Sequence, residues 1–202
     1  MFKWIGNLWK IERSRRLSIV FGFMIFVGLI LVTLGIMATI KVTPYATYTN
    51  KKYGFVIKFP AYWKPILKPA GGAIVVFVSP KTNSTDLLQE NLNVSIKDMP
   101  QAMTIDYLSK MIVSQVTGTF GEQLDVLQSM PIVLGGKPGY RLTFAGYDPK
   151  ITNPIQYVTV WTMVGNRVFI LTFTGLKNDY PLFEKKVDKI FQSFKFLPPQ
   201  SK

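Results

Sequence analysis

The chain has 202 residues, a formal net charge of +13, no cysteine and no histidine. The missing cysteines exclude disulfides, thiolate nucleophiles and thiolate metal sites, and the missing histidines exclude His-based triads and imidazole ligands. We therefore predict no metal site and no cofactor for this chain.

Residues 1–16 combine basic and aromatic side chains. On a helical wheel one half is apolar and contains Trp4 and Trp9, while the other half contains Lys3, Lys10 and Arg13. This pattern favours a basic amphipathic helix lying on the surface of an anionic leaflet. An unstructured basic tail whose aromatic side chains sit at headgroup level explains the same residues equally well.

Residues 17–40 form a run of 24 residues without a charge, directly after Arg15 and Arg16. At about 1.5 Å per residue the run reaches about 36 Å, enough to cross a hydrocarbon core of about 30 Å. A cleaved secretory signal has a shorter apolar core and a small-x-small cleavage site, which is missing here. A buried core helix of this length is unusual in a globular domain. We predict a retained transmembrane helix that contacts the lipid bilayer.

The charges on either side of residues 17–40 predict the orientation. Five basic residues and one acid precede the run, while Lys41, Lys51 and Lys52 follow it. The positive-inside rule places the N-terminus in the cytoplasm. The expected protein is therefore a single-pass protein of the cell membrane with an extracytoplasmic C-terminal domain.

The C-terminal part of the chain is also basic. Residues 41–202 hold 19 basic and 10 acidic residues, and no basic run is longer than two residues. A basic domain favours anionic partners, but nucleic acid is excluded by the expected location outside the cytoplasm. A solvated basic surface without a partner is the simpler interpretation.

Residues 41–49 are predicted as a linker, residues 50–197 as one domain and residues 198–202 as a tail. The strands that alternating or continuous apolar residues predict are Gly54–Phe59, Ala73–Val78, Leu92–Lys97, Leu124–Leu134, Tyr140–Tyr147, Ile155–Val164 and Arg167–Thr174. The last four strands form two hairpins, because Gly135-Gly136 and Gly165-Asn166 suit tight turns.

Two helices complete the domain. Thr104 is suited to cap a helix with apolar positions at Ile105, Leu108, Met111, Ile112 and Val116. Asp179 is suited to cap a second helix, whose apolar stripe requires an apolar partner such as a sheet. The predicted fold class is α+β: an antiparallel sheet of about six strands sandwiched by helices as α/β/α layers, preceded by one transmembrane helix.

Four segments resemble the PsbP family. These are 53–63 with its Gly-Phe strand and Pro-x-x-Trp end, the hairpin at 134–140, the hairpin at 164–171 and the Ser-Phe helix end at 190–196. Their order and spacing agree over about residues 46–197. The resemblance implies a PsbP-like α/β/α sandwich and a non-enzymatic accessory role. Family members in oxygenic phototrophs are extrinsic photosystem II proteins or photosystem assembly factors.

Two features depart from the photosynthetic members of that family. Those proteins have a cleaved transit peptide or a cysteine-linked lipid, whereas this chain has the apolar run at 17–40 and no cysteine. Metal binding in the family depends partly on histidine, which this chain lacks. The resemblance therefore implies the fold rather than the photosystem role.

Three residues are candidate surface sites. Tyr62 and Trp63 follow Pro60 and form either an exposed aromatic platform for a partner or ligand, or, for Trp63, a plug at the end of the core. Asn83 begins an Asn-Ser-Thr sequon in a polar loop and is a possible glycosylation site, although such sequons also arise by chance.

Three functions are compatible with the sequence. The first is a membrane-anchored, non-catalytic module that docks a protein partner outside the cytoplasm. The second is a module that binds an acidic small molecule or polymer. The third, a hydrolase using paired carboxylates, has no recognisable motif among the acids, so we predict no catalytic residue and no enzyme.

Overall fold

The computed structural model describes residues 44–69, 71–81, 88–101, 103–147, 151 and 153–198. The predicted basic segment 1–16, the predicted transmembrane helix 17–40, Asn83 and most of the predicted tail lie outside these residues. Within the described ranges, no helix is both long and apolar enough to cross a membrane.

The regular elements of the described residues are strands and two long helices. In chain order they are β1 (Tyr45–Asn50), β2 (Phe55–Pro60), β3 (Lys64–Leu67), β4 (Ala73–Val78), β5 (Asn91–Asp98), α1 (Ile105–Phe120), a 3-10 turn (Gly121–Gln123), β6 (Asp125–Leu134), β7 (Lys137–Gly146), β8 (Ile155–Val164), β9 (Arg167–Leu176), α2 (Tyr180–Ser193) and β10 (Lys195–Phe196).

The strands form two antiparallel sheets. The larger has seven strands in the order β3-β4-β5-β9-β8-β7-β6, and the smaller has the order β1-β2-β10. The predicted antiparallel α+β sandwich is confirmed, with seven strands rather than about six. Strand β3 is not among the predicted strands, and the strand predicted at Gly54–Phe59 belongs to the smaller sheet.

The predicted linker at 41–49 is wrong over its second half. Tyr45–Asn50 is strand β1, which pairs with β2 from Tyr45↔Pro60 to Asn50↔Phe55. Tyr45, Ala46 and Tyr48 also pack against the buried core. These apolar contacts explain why the segment joins the domain instead of crossing solvent.

Both predicted hairpins are present, each with two turn residues. Leu134 pairs with Lys137 across Gly135-Gly136, and Val164 pairs with Arg167 across Gly165-Asn166. Gly135, Gly136 and Gly165 have φ values of 61°, 78° and 62°, which explains why glycine occupies these turns.

The seven-stranded sheet is covered on both faces. Alternate side chains of a strand point to opposite faces, so Phe173 packs towards α2 while Val168 packs towards α1. The α2 face holds the larger buried cluster, which the smaller sheet also covers. The α1 face holds a smaller cluster around Leu142, Phe144 and Trp161.

The two helices begin where the sequence predicts, but only one has the predicted cap. The Thr104 side chain accepts a hydrogen bond from the backbone N–H of Tyr107 at 3.2 Å. Asp179 precedes α2 but makes no side-chain capping bond. Its φ and ψ of −92° and −14° are helical, whereas a capping side chain normally requires an extended backbone.

Strand β6 is a long edge of the sheet. It spans ten residues, pairs only with β7 among the described strands, and exposes Val126, Leu127, Met130 and Val133. Pro131 lies opposite Tyr140, three residues from the hairpin turn. This register directs the backbone nitrogen of Pro131 towards the open edge, where it offers no hydrogen.

Candidate functional site

The two aromatic residues after β2 have opposite environments. Tyr62 is 56% exposed, whereas Trp63 is 2% exposed and belongs to the α2-face core. The Trp63 ring lies 6.5 Å from that of Phe183 on α2, and its buried Nε1 has no hydrogen-bond partner in the described part of the chain. Trp63 therefore plugs the core, and an exposed platform is left only with Tyr62.

Tyr62 lies beside a basic and apolar stretch of α2. The Lys186 ammonium is 5.9 Å from the Tyr62 ring centroid and 4.8 Å from that of Phe183. Leu182 lies one turn before Lys186 on the same side of the helix and is 73% exposed. We call Tyr62, Leu182, Phe183 and Lys186 the Tyr62 patch.

A second candidate site is a groove between α1 and the strands β5 and β9. Its volume is about 640 Å³. Most of its lining is aliphatic or thioether surface, and two lysines complete it. The lining residues, which together we call the α1 groove, are Lys97, Met99, Leu108, Lys110, Met111, Ile112, Ser114, Gln115, Val168 and Ile170.

A buried hydrogen bond holds α1 on the sheet beside this groove. The Trp161 indole N–H donates to the Ser109 hydroxyl at 3.0 Å, and both residues are buried. The Tyr140 ring stacks on Trp161 with centroids 5.4 Å apart. This bond helps to hold α1 against the sheet, and α1 forms one wall of the groove.

Three of the described acids are engaged in separate ion pairs. Arg167 donates two hydrogen bonds to Asp98, at 2.6 and 3.1 Å, and these bonds hold the pKa of the Asp98 carboxyl below its ordinary value. Lys177 pairs with Asp125 at 2.8 Å. No group of three or more carboxylates among the residues described could hold a metal ion. These acids have a structural explanation.

The third ion pair links the sheet to α2. The Arg141 guanidinium donates to Asp188 at 2.7 Å and to the Tyr180 hydroxyl at 3.2 Å. Burial raises the pKa of the Tyr180 phenol. Arg141 thus connects β7 to two points on α2, which is a structural role.

The α1 groove was not among the sites predicted from the sequence. Lys97 lies on β5 and Lys110 on α1, so the turn between these two elements determines how close the two lysines come. The residue that points to the groove is Met111. It belongs to the predicted apolar stripe of α1, yet its side chain is 42% exposed. An apolar stripe that is wider than its contact with the sheet leaves such a side chain uncovered.

The chain is similar to a known protein family and to solved structures. A family described as PsbP-like protein matches residues 38–196. No curated protein matches the chain. The solution structure of cyanobacterial PsbP from Synechocystis is similar, with 15% identity, a TM-score of 0.57 and coverage of 78% of this chain and 95% of that one.

Two similar structures belong to proteins with other roles. LpqN of Mycobacterium tuberculosis, involved in cell envelope biogenesis, has 11% identity, a TM-score of 0.53 and coverage of 78% of this chain and 88% of that one. The Ran-binding protein Mog1p of Saccharomyces cerevisiae has 8% identity, a TM-score of 0.54 and coverage of 76% and 95%. At these identities the likeness shows the fold alone.

Proposed function

Because the chain belongs to the PsbP-like protein family, we propose that it is a membrane-anchored, non-catalytic accessory module that docks a protein partner outside the cytoplasm. The uncharged run at 17–40 and the basic residues before it support the anchor and its orientation. A similar fold belongs to a Ran-binding protein, so protein binding is compatible with this architecture.

The observation that carries the docking proposal is the Tyr62 patch. Tyr62 and Leu182 are exposed, and Lys186 lies over the rings of Tyr62 and Phe183. Tyrosine is enriched in protein interfaces because it offers a large, fairly rigid apolar surface with a polar end. A lysine at the rim adds electrostatic preference for an acidic partner surface.

Affinity capture of the full-length protein from solubilised membranes tests this proposal. The capture compares the native chain, a Tyr62→Ala/Leu182→Ala variant and a Tyr147→Ala control, in which a tyrosine of equal exposure (55%) is removed elsewhere. We expect a stoichiometric partner with the native chain and the control, and its loss with the patch variant. Recovery of the protein alone in all three samples would refute docking. Retention of the partner by the patch variant would refute the Tyr62 patch as the docking site.

The proposed topology has its own test. Protease added to intact cells with permeabilised outer layers should digest the C-terminal domain and leave a tag at the N-terminus protected. Full protection of the domain would contradict the extracytoplasmic location, while the capture result would be unaffected.

Binding of an acidic small molecule or polymer is the second candidate function. The α1 groove favours it, because Lys97 and Lys110 line an otherwise mostly apolar surface. The groove and the Tyr62 patch share no residue, so separate variants can test the two functions.

A further inference from the structure

We propose that the α1 groove binds an amphipathic anion, namely an aliphatic chain that ends in one carboxylate or phosphate group. This inference rests on the second candidate function, whose ligand class it narrows, and it does not depend on the Tyr62 patch. It rests on the volume of the groove, on its lining and on the charge of its two lysines.

The size and lining of the groove suit an aliphatic chain. Its volume of about 640 Å³ lies within the range of about 300–1,000 Å³ typical of small-molecule sites. Met99 and Met111 stand at its sides, with Ile112 and Ile170 also in the lining. Methionine side chains are flexible and adapt to irregular apolar ligands. Among the described residues of this lining there is no aromatic ring, so they offer no stacking surface for a nucleobase.

The charge of the groove suits an anionic head group. Lys97 comes from β5 and Lys110 from α1, and the described residues of the lining include no carboxylate. Neither lysine takes part in an ion pair within the described ranges. The acid that follows Lys97 in the chain, Asp98, alternates to the opposite side of the strand and is bound by Arg167. On α1, Asp106 lies one turn before Lys110; it lines a neighbouring pocket together with Lys110 but is outside the groove lining.

The positive groove is therefore complementary to a ligand that is apolar along its length and negative at one end. An apolar ligand without charge would leave the two lysines unpaired, and a small inorganic anion would leave the aliphatic walls uncovered. An amphipathic anion satisfies both parts at once.

Methionine-methyl NMR of the full chain tests the proposal directly. The protein is labelled with 13C-methyl methionine in nanodiscs of zwitterionic phosphatidylcholine and titrated with octanoate, octan-1-ol, octylammonium or inorganic phosphate. We expect octanoate to shift the methyl signals of Met99 and Met111. Met130, which is 40% exposed on β6 and outside the groove, is the internal control and should not move.

Charge variants test the role of the lysines. Lys97→Gln should weaken octanoate binding about threefold, and Lys97→Gln/Lys110→Gln about tenfold, because exposed ion pairs contribute modestly. Octan-1-ol binding should not change in either variant. Lys58→Gln, which removes an exposed lysine of β2, is the matched control and should bind octanoate as the native chain does.

A groove-filling variant, Met111→Trp, provides a second test that is independent of charge. It should abolish the octanoate-dependent shift at Met99 while leaving the Met130 signal in place as evidence of folding. Unchanged octanoate binding in this variant would overturn the α1 groove as the binding site.

Three results would overturn the proposal. One is the absence of a shift at Met99 and Met111 with millimolar octanoate. Another is equal affinity for octanoate, octan-1-ol and octylammonium, which would indicate apolar adsorption only. The third is a response to inorganic phosphate as strong as that to octanoate. Tyr62→Ala should bind octanoate as the native chain does, so failure of the docking proposal and failure of the groove proposal are distinguishable.

Discussion

The two faces of the seven-stranded sheet differ in how completely they are covered. The α2 face is closed by a helix and by the three-stranded sheet, and it buries Phe55, Phe173 and Phe194 almost fully. Among the described residues the α1 face is covered by one helix, and a groove with Lys97 is open beside it. The closed face accounts for most of the buried core, so the open face can carry a binding surface at little cost to folding.

Aromatic packing distinguishes the two faces further. Phe194 lies 5.6 Å from Phe55 and 6.1 Å from Phe169, ring centroid to ring centroid, in the middle of the α2-face cluster. Phe144 lies 4.9 Å from Tyr157 and 5.4 Å from Phe120, near the end of α1. The first group lies inside the larger cluster, whereas the second contacts Phe120, the last residue of α1.

The largest expected effect compares phenylalanine deletions on the two faces. Phe194→Ala should lower the free energy of unfolding by about 4 kcal/mol, because it leaves a cavity that its neighbours cannot fill. Phe144→Ala should cost about 3 kcal/mol, since the end of α1 can move inward. Urea unfolding followed by tryptophan fluorescence measures both. Equal losses would mean that the two faces are equally rigid.

A smaller effect compares the two buried indoles. Ser109→Ala removes the acceptor of the Trp161 N–H and should cost about 1–3 kcal/mol, because a buried donor is left unsatisfied. Trp63→Phe removes an N–H that already has no partner among the described residues, so it should cost less than Trp161→Phe. The same unfolding measurement applies to all three variants. A larger loss of unfolding free energy for Trp63→Phe than for Trp161→Phe would show that the Trp63 N–H has a polar role.

The ion pair on the α2 face should contribute about 1 kcal/mol. Asp188→Asn removes the carboxylate beside the half-buried Arg141 while keeping the shape of the side chain. The matched control is Asp125→Asn, whose partner Lys177 is more exposed and whose loss should cost less. Urea midpoints at low and high salt provide the measurement. Equal midpoints for the two variants would contradict the expected difference.

The smallest effect concerns acid. The pKa of Asp98 is lower in the folded chain than in the unfolded chain, because Arg167 hydrogen-bonds the carboxylate. Its stabilising contribution is therefore present above the unfolded value of about 3.9 and is lost as the pH falls through the folded value. Asp98→Asn should lose less stability than the native chain between about pH 5 and pH 2. Identical acid profiles would contradict this role for the pair.

Local signals were sufficient to predict much of the fold. The β8–β9 hairpin was predicted from Gly165-Asn166 between two apolar runs, and its first strand has the predicted bounds, Ile155–Val164. The α1 helix begins after its predicted cap, Thr104. These elements depend on residues that are close in sequence, so the local residue pattern is enough to predict them.

The missed features depend on distant residues. Strand β1 forms because it pairs with β2, and β3 is a short, exposed strand containing Pro65 that pairs only with β4 among the described strands. The α1 groove requires Lys97 and Val168 to meet on adjacent strands, and no local pattern specifies this. The burial of Trp63 against Phe183 joins segments that are 120 residues apart.

Pro131 affects how neighbouring copies of the domain can meet. Strand β6 is long and apolar, and no other described strand pairs with its outer side, a combination that promotes edge-to-edge aggregation. The proline interrupts the row of hydrogen-bond donors on that side, so a second chain cannot continue the ladder across it. This one residue favours individually dispersed domains over extended fibrils.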